Sequence, residues 1–219
     1  MELPDRQRIG HGPPVRNGDG APRSISESMM GTEYLSIRLL GGFRVVVSER
    51  EVPPTAWRLR KAGHLVKLLA LAPQHQLHRE HVQDTLWPDL PSDAAANNLR
   101  VTLHAARRAL SLGTQHGETS AFSLEGEQLA LCAALPIWVD VLAFEDAAAA
   151  ALGSTDTDLF EAALALYDGD LLPDDRYESW IIERREALRW QRLELLVQRA
   201  RWHVAAGGAV WALLGYWAA

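Results

Sequence analysis

From position 35 the hydrophobic positions alternate. Leu35, Ile37 and Leu39 point one way, Gly41-Gly42 breaks the run, and Phe43, Val45 and Val47 alternate again. A period of two predicts two short half-buried strands, and a third extended piece near Val52 closes a small antiparallel sheet. Pro53-Pro54-Thr55 then sets up a helix, with Thr55 as its N-cap. Leu65, Leu68, Leu69 and Ala72 share one face of it, and Pro73 stops it. A second helix starts near His78, with Leu77 and Val82 placed as a hydrophobic staple and Val82, Thr85 and Leu86 as its buried face. Trp87-Pro88-Asp89-Leu90-Pro91 reads as a rigid loop. Ser92 caps a third, long helix that runs to about Leu112 and ends at Gly113. Phe122 and Leu124, then Glu125-Gly126-Glu127, then Leu129 and Leu131, form a β-hairpin pattern. Strands, three helices and a hairpin, in that order, predict an α+β winged helix-turn-helix.

After Pro136 the pattern becomes helical throughout, over residues 138–152, 156–168 and 177–206. The last of these spans about 45 Å at roughly 1.5 Å per residue. Along it Trp180/Ile181, Leu188, Leu195/Leu196 and Trp202 recur about every seven residues, so that face packs on other helices. Residues 1–33 show no apolar period and are rich in Gly, Pro, Arg, Ser and Asp, which predicts a flexible leader. The expected organisation is a leader over 1–33, a winged-helix domain over 34–136 and an all-α domain over 137–219.

Charge sharpens this division. The chain carries 22 Lys and Arg against 28 Asp and Glu. Residues 34–136 are net +2 and residues 137–219 net −7. The middle segment also holds His64, His75, His78, His81, His104 and His116. Such a split suits one module facing a polyanion and one facing something else. The single cysteine, Cys132, excludes an internal disulfide and a multi-cysteine metal site, and its strand position reads as core. No apolar run reaches the roughly 18 residues of a membrane span, and the N-terminus lacks a signal-peptide core, so a cytoplasmic protein is expected.

Catalytic signatures are not legible. There is no HExxH, no Cys/His ligand spacing, no GxSxG and no phosphate-cradling glycine loop. His75, His78 and His81 straddle a loop and a helix start. Asp168, Asp170, Asp174 and Asp175 lack the pattern of a calcium loop. The expectation is a protein without catalytic residues, metal or cofactor.

The third helix carries the chemistry instead. At about 100° per residue, Leu99, Leu103, Ala106 and Leu110 gather on one side. The other side carries Asn97, Arg100, Val101, His104 and Arg108, with Asn98 and Arg107 alongside. Asn suits a bidentate adenine contact, Arg suits guanine or phosphate, and Val meets a thymine methyl; a major groove about 12 Å wide admits such a helix. Arg58, Arg60, Lys61 and Arg79, near the starts of the flanking helices, are placed for backbone phosphates.

The run from Arg79 through Trp87-Pro88-Asp89-Leu90, followed by Ala96-Asn97-Asn98-Leu99-Arg100-Val101-Thr102-Leu103-His104 and Arg107-Arg108-Ala109-Leu110, resembles the OmpR-type winged helix. More narrowly, it resembles the version in SARP-like bacterial transcriptional regulators. Trp138-Val139-Asp140-Val141-Leu142-Ala143-Phe144-Glu145, Leu166-Tyr167-Asp168-Gly169-Asp170-Leu171-Leu172-Pro173 and the stretch from Trp180 to Leu188 resemble the bacterial transcriptional activation domain of the same regulators. The resemblance covers roughly residues 35–207.

It implies a tetratricopeptide-like array after the winged helix, and a transcription factor, more an activator than a repressor, that reads promoter direct repeats. It also implies that the helix at 92–112 enters the major groove, that the hairpin at 121–132 is the wing, and that the loop Pro88, Asp89, Leu90, Pro91 and Ser92 faces RNA polymerase. Implied partners are double-stranded promoter DNA, RNA polymerase and a second copy, through the helical domain or on DNA. The chain departs from the family at Ala105-Ala106, where Arg-Leu is usual, and at His78, where Ser or Thr caps. Past Gly207-Gly208 the expected next helix is replaced by an aromatic tail, so the array is expected to be truncated. A second reading from a different class is a protein-interaction module whose winged helix no longer binds DNA.

Overall fold

The structure is a computed structural model that describes residues 34–111, 121–131 and 135–216, with side chains to residue 205. The leader at 1–33, the helix stop at Gly113 and Cys132 lie outside the described residues.

Strand β1 (Leu35–Arg38) pairs antiparallel with β2 (Arg44–Val47), with Leu35 opposite Val47 and Arg38 opposite Arg44. The alternation works as expected: Leu35, Ile37, Val45 and Val47 are buried. The short β3 (Arg50–Glu51) adds to the free edge of β2, and Val52 donates its amide to Val45 O at 2.8 Å.

The first helix begins later than the capping signal predicts. Pro54–Trp57 forms one 3-10 turn, Leu59 is extended, and α1 runs Arg60–Leu71. Packing explains the offset: the turn lays Trp57 against Phe43, ring centres 5.2 Å apart, while α1 buries everything from Ala62 to Ala70. Gln74 and His75 adopt positive φ and lead into β4 (Gln76–His78), a strand too short to show any alternation. In α2 (Arg79–Leu86) the expected cap is present, with Glu80 N donating to His78 Nδ1 at 3.4 Å. Next come α3 (Ser92–Ser111) and the hairpin of β5 (Phe122–Glu125) and β6 (Gln128–Leu131). Gly126 sits in its turn at φ +61°, a value that suits glycine. Strand β4 pairs with β6, giving a three-stranded sheet in the order β4-β6-β5.

Residues after Pro136 then return to the first sheet. Strand β7 (Ile137–Val139) runs parallel to β1, completing the order β3-β2-β1-β7. Three helices follow: α4 (Asp140–Leu152), α5 (Thr157–Leu166) and α6 (Ser179–Tyr216). The last continues through Gly207-Gly208, past the expected end at 206. It packs on α4 and α5 with Ile181, Leu188 and Leu195 fully buried, while Trp202 of the same sequence period is exposed. The protein is thus a mixed α/β structure with two small sheets and six α-helices among the described residues. The hydrophobic core is continuous from Leu35 to Leu195, across the composition shift at residue 136.

Asp140 shows how that continuity is made. Its carboxylate accepts the backbone amides of Leu39, Leu40 and Val141 at 2.8–2.9 Å, closing the end of β1 and the start of α4 together. Nearby, Gly41 N donates to Asp170 O and Leu172 N to Leu39 O, both at 2.9 Å.

Candidate nucleic-acid interface

Helix α3 is two-faced because its apolar residues repeat at three- and four-residue spacing. Ala95, Leu99, Thr102, Ala106, Ala109 and Leu110 are buried against α1 and α2. Asn97, Arg100, Val101, His104, Arg107 and Arg108 are exposed, and Asn98 is half-buried. Val101 is 56% exposed, a branched apolar side chain standing among polar ones. The side chains of Asn97, Arg100, His104 and Arg108 make no hydrogen bond or ion pair among the described residues, so their donors face solvent.

Two contacts hold the hairpin beside this helix. Arg107 Nη2 donates to Phe122 O of β5 at 3.5 Å. At the start of α2, Arg79 pairs with Glu127 in the hairpin turn at 2.6 Å, and its amide donates to Glu127 O at 2.8 Å. Both residues belong to the set expected to meet nucleic acid, and in this structure both anchor the hairpin. Of the remaining cations, Arg58 is exposed and Lys61 half-exposed. Arg60 Nη2 lies 3.6 Å from Asp175 and 4.0 Å from Glu178, its charge turned toward protein carboxylates. The loop between α2 and α3 exposes Pro88, Asp89, Leu90, Pro91 and Ser92, while Trp87 packs on the core.

A buried polar cluster that the sequence pattern does not reveal sits along α1, the helix against which α3 packs. His64, only 1% exposed, meets Asp175 through Nε2 at 3.1 Å and has Nδ1 3.5 Å from Glu178. Lys67 donates to Asp175 Oδ2 at 2.5 Å and stands over the Phe43 ring, 4.5 Å from its centre. Burial pushes the Asp175 carboxyl up, but hydrogen bonds from His64 and Lys67 and their positive charge outweigh it, holding the group well below the usual carboxylate range. Arg185 of α6 fixes the Asp175 loop from behind, donating to Leu171 O, Leu172 O and Asp175 O at 2.7, 3.0 and 3.3 Å. One signal was available: His64 and Lys67 sit one turn apart in a helix whose other residues from Ala62 to Ala70 are apolar, where a charge needs a partner. The identity of that partner is not a local property.

Among the described residues, no group of three His, Cys, Asp or Glu side chains is placed to hold a metal ion, and no helix is long and apolar enough to cross a membrane.

The fold is similar to that of Mycobacterium tuberculosis EmbR, solved in complex with a low-affinity phosphopeptide. The TM-score is 0.66 at 18% identity, over 84% of this chain and 50% of that one. At this identity the likeness is one of fold, and this chain spans half of the EmbR chain. No family model matches the chain, and no curated protein does.

Proposed function

We propose that the chain is a sequence-specific DNA-binding transcriptional regulator, an activator in type. Residues 34–136 form its winged helix and residues 137–219 a tetratricopeptide-like helical domain. The observation that carries this reading is the unpaired face of α3. Asn97, Arg100, Val101, His104 and Arg108 stand on the side opposite the core, next to a hairpin held at a set distance by Arg107 and Arg79. A helix laid in the major groove needs this combination of a base-reading face and a flanking element for the backbone. Asn97 and Arg100 read bases, Val101 meets a thymine methyl, and His104, Arg108 and Lys61 meet phosphates. The hairpin is the wing, and the exposed loop Pro88–Ser92 faces RNA polymerase. The fold likeness to EmbR supports the same reading. The protein acts by binding, without a cofactor.

The test is binding of the purified chain to a random-sequence DNA pool between about 50 and 200 mM salt. A reader with roughly 4–8 phosphate contacts weakens with a log–log slope near −0.9 per contact and enriches a repeated short site. Arg100→Ala with Arg108→Ala abolishes enrichment while the protein stays folded. A folded sample that binds no DNA at low salt overturns the reading.

A second reading is favoured by the pairing of Arg60 with Asp175 and Glu178 and of Arg79 with Glu127, which leaves few cations for phosphate. In it the chain is a protein-interaction module, and the double variant leaves every activity unchanged.

A further inference from the structure

Strands β1 and β2 set two arginines face to face. Arg38 lies directly opposite Arg44 in the antiparallel register. Both are exposed on the outer side of the sheet, since the alternate residues Ile37 and Val45 are buried on the inner one. Like charges placed this way repel each other. Neither arginine makes an ion pair or a side-chain hydrogen bond among the described residues. Asp140, which closes the end of β1, feels the charge of Arg38 but spends its carboxylate on three backbone amides.

Both arginines line one small concavity, about 210 Å³ including its open mouth, together with Leu40, Gly41, Gly42 and Asp168. The Gly42 amide has no hydrogen bond among the described residues, and nothing lies within 4 Å of the position a Cβ would take there. Asp168 is exposed, and its carboxylate has no partner among the described residues. The walls come from two parts of the chain, the turn between β1 and β2 and the loop between α5 and α6. Gly41 N joins them by donating to Asp170 O at 2.9 Å.

We propose that this concavity binds a phosphate monoester that carries a hydroxyl on a neighbouring carbon. A monoester has three terminal oxygens and close to two negative charges. It can engage two guanidinium forks at once and remove the repulsion between them. A carboxylate or a phosphodiester offers two terminal oxygens and one charge. Asp168 repels a bare dianion but accepts a hydrogen bond from a hydroxyl, so it favours a ligand with a donor beside its phosphate. Such a ligand touches the β1–β2 turn and the α5–α6 loop together and strengthens the contact between them. No residue of α3 lines the concavity, so failure of this proposal would leave the DNA-binding reading untouched.

Amide NMR titrations of the full chain test it. The probes are glycerol phosphate, methyl phosphate and dimethyl phosphate, at constant ionic strength and about pH 7.5, where a monoester is mostly doubly charged. Saturable shifts at Gly41, Gly42 and Gly169 are expected with glycerol phosphate, and weaker binding with methyl phosphate. Dimethyl phosphate, which stands in for a nucleic-acid backbone, gives none. Arg38→Gln and Arg44→Gln each weaken glycerol phosphate by about tenfold, the size of one charge-assisted hydrogen bond. Asp168→Asn makes the two monoesters bind alike. All three positions are exposed, so the variants keep the wild-type melting temperature. No saturable shift at Gly42 with about 30 mM of either monoester, well above a millimolar Kd, overturns the proposal. So does binding that survives both arginine changes. Dimethyl phosphate as tight as the monoesters overturns it in favour of a nucleic-acid backbone. Methyl phosphate as tight as glycerol phosphate on the wild type overturns the part given to the hydroxyl and Asp168.

Discussion

Lys67 of α1 donates a 2.5 Å hydrogen bond to Asp175, although 108 residues separate the two in the chain. The pair joins the helix that carries α3 to the loop that leads into α6. Both side chains are almost completely buried, 9% and 5% exposed. In such a setting removing one partner leaves a charge without compensation. Lys67→Ala or Asp175→Asn is therefore expected to destabilise the protein by about 3–5 kcal/mol. Replacing both, as Lys67→Met with Asp175→Leu, costs clearly less than the sum of the single changes. Urea unfolding of the four proteins, read as a double-mutant cycle, measures the coupling. Additive losses would show that the two residues act separately.

The same carboxyl sets an acid limit. Its pKa lies below the unfolded value, so its contribution to stability is fully present above about pH 4 and fades as pH falls through the folded value. Asp140 has the opposite sign. Burial raises its pKa despite three backbone hydrogen bonds, so its contribution is greatest below the unfolded value and declines as pH rises through the folded one. Wild type and Asp175→Asn should therefore differ most at neutral pH, start to approach each other below about pH 4, and converge only as pH passes the strongly lowered folded value. Unfolding midpoints from about pH 7 down to about pH 2 would show the gap narrowing below about pH 4; a constant gap contradicts it.

Gly41 and Gly169 touch back to back. A Cβ on Gly169 would stand 2.9 Å from Gly41 Cα, and Gly41 itself is at φ +78° with Asp168 O 3.2 Å from where its Cβ would be. Neither neighbour is a flexible side chain that can swing aside. Gly169→Ala is expected to cost about 1–3 kcal/mol through overpacking, and Gly41→Ala a similar amount through backbone strain. Thermal melts decide the matter, and an unchanged melting temperature for Gly169→Ala would mean the two backbones can part freely.

If α3 reads DNA, its residues divide by role. Asn97→Ala should relax selectivity at one base position, with a loss of about 1–3 kcal/mol on the preferred site only. Arg108→Ala should instead weaken all sequences evenly and reduce the salt slope by about one. Arg107→Ala acts through the hairpin, since its guanidinium already holds Phe122 O. Its loss should loosen the wing without changing which bases are preferred. Selection profiles and salt titrations of the three variants separate these outcomes.

The sequence by itself determined what depends on near neighbours. A period of two at Leu35–Leu39 and Phe43–Val47 placed β1 and β2. The spacing of Leu99, Ala106 and Leu110 decided which side of α3 is buried and therefore that Asn97, Arg100, Val101, His104 and Arg108 are exposed. Gly126 between alternating residues marked the hairpin turn. These patterns are local because a strand or helix turns its side chains at a fixed angle, whatever it later packs against.

Tertiary structure alone decided the rest. It put Ile137–Val139 beside Leu35–Ile37, added Gln76–His78 to the hairpin, and paired Lys67 with Asp175. It also turned Arg60 toward Asp175 and Glu178 and Arg79 toward Glu127, two cations whose charge in the sequence looks equally available for phosphate. Three-residue strands carry too few positions for a period, and an ion pair between residues about a hundred positions apart depends on how the whole core closes. Only the packed fold brings such groups within reach of each other.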